Sequence, residues 1–149
     1  MEFRFKIQFG DNVPVTQLQR FYKRNGHKGK IQPNDRCAWL SEDDEIIAAV
    51  RLSPSPQADS DYLQLKGLWV AKALRGQGIG GVFLDRLSDF LMQSGKPCYC
   101  LAYDHLENFY QSHKFIPISK DDAPDSLWQR LQRYQSRGNQ LKLMQFKPE

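Results

Sequence analysis

Polar and apolar positions along the chain switch between a repeat of two and a repeat of about 3.6 residues, and each switch marks an element. Glu2–Phe9 alternates polar and apolar residues, which predicts a strand. Thr16–Lys23 predicts a short helix with Val15, Leu18, Phe21 and Tyr22 turned inward. Arg36–Leu40 and Glu45–Leu52 are strand-like runs joined by the acidic turn Ser41–Asp44, the pattern of a hairpin. Ser53 through Asp61 reads as an exposed loop, and Tyr62–Val70 as the next strand. Ile79, Val82, Phe83, Leu87, Phe90 and Leu91 then recur at helical spacing until Gly95-Lys96-Pro97 stops the helix.

Further on, Cys98–Ala102 predicts a strand. Asp104-His105-Leu106-Glu107 has the spacing of a capping box, with Asp104 as N-cap of a helix carrying Phe109 and Tyr110. Phe115–Ile118 is a short strand, and Pro124–Arg137 a helix whose Leu127, Trp128, Leu131 and Tyr134 form one stripe. Gly138-Asn139 turns the chain into a last strand, Leu141–Phe146. With no internal repeat, residues 1–149 are expected to form a single domain, a mixed sheet with helices on both faces.

Composition narrows the class. Hydrophobic residues make up 40% and charged residues 26%, which is globular. No apolar run approaches the ~20 residues of a membrane span, and the alternating N-terminus reads as a strand, not a signal peptide. Three cysteines, an odd number, argue against a disulfide framework and for a reducing, cytoplasmic compartment. The net charge of +4 suits a polyanionic ligand or an acidic partner and is too small to argue for nucleic acid.

The chemistry concentrates where the strand ending at Leu68-Trp69-Val70 meets the long helix. Between them lies Arg75-Gly76-Gln77-Gly78-Ile79-Gly80-Gly81. A helix N-terminus presents unpaired N–H groups and roughly half a positive charge, so it holds anions. Gly76, Gly78, Gly80 and Gly81 put no side chain between that backbone and a phosphate, and Arg75 adds a cation.

This segment resembles the Arg-x-x-Gly-x-Gly signature of the GNAT family of N-acetyltransferases. Phe109-Tyr110-Gln111-Ser112-His113-Lys114-Phe115 resembles the family's Phe-Tyr-x-x-x-Gly-Phe segment, with Lys114 in the glycine position. The family's upstream Asn-x-x-Ala maps onto Tyr103-Asp104-His105-Leu106 and is absent. The resemblance covers roughly residues 62 to 118. It implies the GNAT fold, a mixed, mostly antiparallel sheet between helices, and acetyl-CoA as cosubstrate without a metal.

It further implies that the diphosphate lies on the amides of Gln77, Gly78, Ile79, Gly80 and Gly81, beside Arg75 and Gly76. The pantetheine arm would run along the strand edge at Trp69-Val70, with the Val70 N–H as oxyanion donor. Tyr110 stands in the general-acid position. A phenol of pKa about 10 facing a thiol of about 8.5 makes full proton transfer uphill by roughly 2 kcal/mol, so hydrogen bonding to the thiolate carries much of the effect. The implied acceptor is a primary amine, on a small molecule or on a protein or peptide, attacking directly in a ternary complex; a homodimer stays open.

The general base is unassigned. Gln64 and Lys66 stand where a strand carboxylate would be sought; Asp61, Asp104, His105, His113 and the acidic turn each have a simpler structural explanation. Cys98 and Cys100, facing one side of a strand, lack further ligands for a zinc site. The basic loop Lys23–Lys30 reads as an exposed, mobile loop without a dedicated partner, or as an attractor of an acidic acceptor or the cosubstrate's ribose phosphate. Two other functions fit less of the chain. A dinucleotide fold satisfies Gly-x-Gly-x-x-Gly but leaves Ala71–Arg75 between strand and first glycine and too little chain after Asp104. A non-catalytic acyl-CoA sensor or interaction module would fit the missing carboxylate and Lys114.

Overall fold

Four helices and seven strands are defined over residues 2–56 and 61–148 of the computed structural model. The strands are β1 (Arg4–Gln8), β2 (Arg36–Glu42), β3 (Glu45–Pro54), β4 (Leu63–Val70), β5 (Cys98–Tyr103), β6 (Phe115–Pro117) and β7 (Leu141–Phe146). The helices are α1 (Val15–Arg24), α2 (Ile79–Ser94), α3 (Glu107–Gln111) and α4 (Asp125–Ser136). They build one sheet in the order β1-β2-β3-β4-β5-β7-β6. Only β4 and β5 run parallel, and α2 makes the crossover such a pair needs.

Strand alternation sorts the side chains into two cores. On one face Leu63 and Leu65 of β4, Cys98 and Cys100 of β5 and Val50 and Leu52 of β3 pack with Ile79, Phe83, Leu84, Leu87 and Leu91 of α2 and Tyr110 of α3. On the other face α1 covers Cys37, Trp39 and Ala49, while α4 covers Tyr99, Leu141 and Leu143. The polar stretch of sheet between α1 and α4 is where the cavity described below opens.

The β2–β3 hairpin closes through Asp43 and Asp44 at φ +51° and +64°, the left-handed pair that matches strand twist. Several expectations are corrected. Val15 begins α1 exposed, with Val13 buried in its place. Val82 is exposed because the inward stripe of α2 passes through Leu84. Tyr134 lies at the open rim of the α4 stripe. Ser53 is a buried β3 residue, not part of a loop; of that expected loop, Gln57–Ser60 lie outside the described residues. The capping box does not form: Asp104 opens a 3-10 turn with no side-chain cap, and the Glu107 carboxylate instead accepts from Lys142 Nζ and Gln111 Nε2.

Candidate active site

The parallel pair is short. It registers Leu63 with Cys98, Gln64 with Tyr99 and Leu65 with Cys100, after which β4 and β5 run on to Val70 and Tyr103 without pairing to each other. A bulge helps to part them. The β3–β4 register steps from Arg51↔Lys66 to Ala49↔Trp69, so Gly67 and Leu68 together face Val50. Gly67 stands at φ +61°, a backbone only glycine adopts cheaply, and bulges of this kind bend a strand. Tyr22 fixes the bend by donating its hydroxyl to the Gly67 carbonyl at 2.8 Å.

The bend sets the exposed edge of β4. Ala71 donates its N–H to Ile47 O at 2.8 Å, toward β3. The N–H and C=O of Val70, one residue earlier in an extended strand, therefore face the opposite edge. Arg75 confirms the direction, since its Nε donates to Val70 O at 3.1 Å while its guanidinium lies 4.8 Å above the Trp69 ring. Trp69 is in turn held by donating Nε1–H to Asn25 O at 2.7 Å.

The glycine loop leads directly from this edge into α2. The first intrahelical bond runs from Val82 N–H to Gly78 O at 3.2 Å, so the N–H groups of Ile79, Gly80 and Gly81 have no acceptor within the helix. No acidic side chain lies in that first turn. At Gly76 and Gly78 a Cβ would meet nothing within 4 Å, leaving the approach open. Gly80 lies against the Phe109 ring, 3.5 Å from where its Cβ would be, and Gly81 against His113. Ile79 is buried and offers only its amide; Gln77 and Arg75 are exposed. Open backbone donors, the positive end of a helix and a cation fit a diphosphate.

Tyr110 reaches the same region from α3. Its ring makes edge contacts with Phe109 and Phe115, centroids 5.2 and 5.5 Å apart, and burial raises its phenol above the ordinary value, with the Cys100 and Cys98 thiols adding to the effect. His113 ties α3 to α2 through Nδ1 and Asp85 Oδ1 at 2.8 Å. Lys114 stands at φ +74°, a left-handed backbone that glycine adopts at less cost.

Behind the splay lies a cavity of about 500 Å³, lined by Tyr110 and by four cations, Lys30, Arg51, Lys66 and Arg130. Arg51 and Lys66 are cross-strand neighbours, as are Ser53 and Gln64. Arg130 Nη1 donates to Gln64 Oε1. Burial lowers the Lys66 ammonium, and the guanidiniums of Arg130 and Arg51 lower it further. Arg51 and Arg130 escaped the sequence reasoning. A signal existed in β4, where Leu63-Gln64-Leu65-Lys66 puts polar residues on one side of a strand central to the sheet.

The basic loop is fastened, contrary to expectation. Gln19 Nε2 donates to Gly29 O at 2.9 Å, its Oε1 accepts from Ile31 N–H at 3.0 Å, and Arg51 Nη1 donates to Lys30 O at 2.6 Å. His27 sits between Tyr22 and Trp69, centroids 4.6 and 4.7 Å away; burial first and Arg51 second lower its pKa. The other candidates lie elsewhere. Asp61 pairs with Lys96 at 3.2 Å, and His105 stacks on Tyr103. Cys98 and Cys100 are in the core, where burial pushes the Cys98 thiol up to about 12 and Cys100 well above the ordinary range.

Residues 5–115, from β1 through the Phe109–Phe115 segment, match the model of the acetyltransferase (GNAT) family. The chain belongs to that family. Membership places it among acyltransferases, and its sheet is that of the acyl-CoA N-acyltransferase fold. Protein ElaA of Escherichia coli is 32% identical over 88 residues, which are 58% of this chain and 57% of that protein, so the match spans little more than half of the relative's length. The crystal structure of E. coli ElaA superposes with a TM-score of 0.69 at 20% identity, over 98% of this chain and 100% of that one. N-acetylglutamate synthase from Neisseria gonorrhoeae, complexed with coenzyme A and N-acetyl-glutamate, gives 0.63 at 15% identity, over 97% of this chain and 36% of that one. Among the described residues no helix is long and apolar enough to cross a membrane, and no cluster of His, Cys, Asp or Glu is arranged to hold a metal.

Proposed function

We propose that this GNAT chain is one N-acetyltransferase domain that moves an acetyl group from acetyl-CoA to a primary amine by direct attack in a ternary complex. The observation that carries the proposal is the free edge of β4 leading into the open first turn of α2, with Tyr110 at the mouth of the splay. The amides of residues 77–81, with Gly76 and Arg75, would hold the diphosphate. Trp69 and Val70 would hold the pantetheine arm along the strand edge, as in strand addition. When bound, acetyl-CoA supplies the activated acetyl group.

The chain's own groups would do the rest. Val70 N–H, aimed at the free edge, would stabilise the negative charge developing on the thioester oxygen; losing one such donor costs about 3 kcal/mol in comparable sites. Tyr110 would donate a hydrogen bond to the departing sulfur. Its raised pKa makes complete proton transfer harder and favours the hydrogen bond as the stabilising contact.

The missing base has a physical substitute. An amine of pKa near 10.4 needs on the order of 4–5 kcal/mol to be neutral at pH 7. The cavity that lowers Lys66 through burial and two guanidiniums would act in the same direction on an incoming ammonium. The sensor alternative loses one support, since Lys114 keeps the left-handed backbone of the position. The deciding assay is thiol release from acetyl-CoA over an amine panel, wild type against Tyr110→Phe. Turnover that collapses in the variant while coenzyme A binding persists supports the enzyme; binding without turnover on any amine supports the sensor.

A further inference from the structure

The cavity behind the splay has an unbalanced charge. Lys30, Arg51, Lys66 and Arg130 line it, and among the described residues no aspartate or glutamate does. Arg51 and Lys66 face each other across β3 and β4, an arrangement that repels unless an anion lies between or above the pair. None of the ion pairs among the described residues involves Arg51, Lys66 or Arg130. The carboxylate that acts on Lys66 is Asp35, whose oxygens already accept hydrogen bonds from Ser53 Oγ at 2.5 Å and from Gln32 N–H at 2.9 Å.

Arg51 is the most constrained of the four. It is 8% exposed, its Nη1 is committed to the Lys30 carbonyl, and its guanidinium lies over the Tyr22 ring. Its Nε is the one buried side-chain nitrogen or oxygen without a hydrogen-bond partner among the described residues. Nη2 lies 3.5 Å from His27 Nε2, and only a glycine at position 67 fits beside this edge, since a Cβ there would lie 3.0 Å from His27 Nε2 and 3.1 Å from both Nε and Nη2. Buried charges are normally paired, and a buried guanidinium edge held rigid without a carboxylate is a preformed receptor for one.

We propose that this cavity selects the acceptor: a small primary amine of the amino-acid class, its carboxylate seated among Arg51, Lys66 and Arg130 and its amine directed toward Tyr110. The inference rests on the N-acetyltransferase reading for the meaning of the bound amine, while the carboxylate site itself stands on the cation cluster alone. It excludes polyamines, which the cations would repel, and it gives α4 a role in specificity through Arg130.

The test uses two product-like probes of equal shape, N-acetyl-L-alanine and N-acetyl-L-alaninamide, titrated calorimetrically into the full chain with and without saturating coenzyme A. The carboxylate probe should bind about ten-fold tighter or more, the factor one charge-assisted hydrogen bond supplies. Arg130→Gln and Lys66→Met, whose side chains are only part-buried, should each erase most of that preference while the variants stay folded by circular dichroism. Equal binding of the two probes, preference for the amide, binding of neither, or a preference unchanged in both variants would overturn the proposal. A carboxylate preference that persists in a protein unable to bind coenzyme A would leave the anion site standing and sink the acetyltransferase reading instead.

Discussion

Lys114 holds a left-handed backbone while its carbonyl accepts the Lys147 N–H at 2.7 Å, fastening the end of the chain to the turn between α3 and β6. A lysine in that conformation costs roughly 1–2 kcal/mol relative to glycine, less what glycine adds to the freedom of the unfolded chain. Lys114→Gly should therefore stabilise the protein by about 0.5–1 kcal/mol, a rise of a few degrees in Tm for a chain of this size. Thermal and urea unfolding check it. A fall in stability would mean that the lysine side chain makes a contact worth more than the strain.

The two ends of α2 allow a paired experiment. Gly78 and Gly95 both stand left-handed, at φ +80° and +68°, with open space where a Cβ would project. Valine at either position should cost similar stability, because the strain is local to the backbone. Only Gly78→Val should weaken coenzyme A binding, by about ten-fold or more, because only that end presents free N–H groups. Equal affinities in the two variants would show that the diphosphate lies elsewhere.

For Tyr110→Phe the expected loss is about 10²-fold or more in kcat with little change in KM for acetyl-CoA, since the hydroxyl acts on the leaving sulfur. The pH profile carries a second check. With its phenol raised above the ordinary value, Tyr110 stays protonated past pH 10, so wild-type activity should show no tyrosine limb below that pH. A limb near 10 that disappears in the variant would contradict the buried placement of the ring.

His27 gives a stability prediction with a definite sign. Its folded pKa lies below the unfolded value of about 6.5, so the unfolded chain binds the proton more readily. The neutral ring's contribution is fully present above pH 6.5 and is lost as pH falls from there toward the lowered folded value. Urea midpoints should therefore drop across that acid window in wild type and drop less in His27→Gln. Parallel profiles would show that His27 is not held neutral by its burial against Tyr22 and Trp69.

Much of the architecture was legible because it follows from period and punctuation. The β2–β3 hairpin, the stop of α2 at Gly95 and the strand from Leu141 each rest on local signals that the fold respects. The capping box failed because Glu107 found a stronger partner in Lys142, a β7 residue with a charge that spacing alone does not reveal. The glycine loop and Tyr110 were visible as a linear pattern. The cationic cavity was not: Arg51, Lys66 and Arg130 come from β3, β4 and α4, and only sheet register and helix packing bring them to one wall. The bulge at Gly67 was equally hidden, because one extra residue in a strand changes which side chains oppose each other without changing composition.

The most direct test of the account is an amide NMR titration of the ¹⁵N-labelled chain with coenzyme A. Saturable shifts at Val70, Ile79, Gly80 and Gly81, with the amides around Gly95 at the far end of α2 unmoved, are the predicted result. Tight binding that leaves those four amides unchanged and perturbs another surface would contradict it.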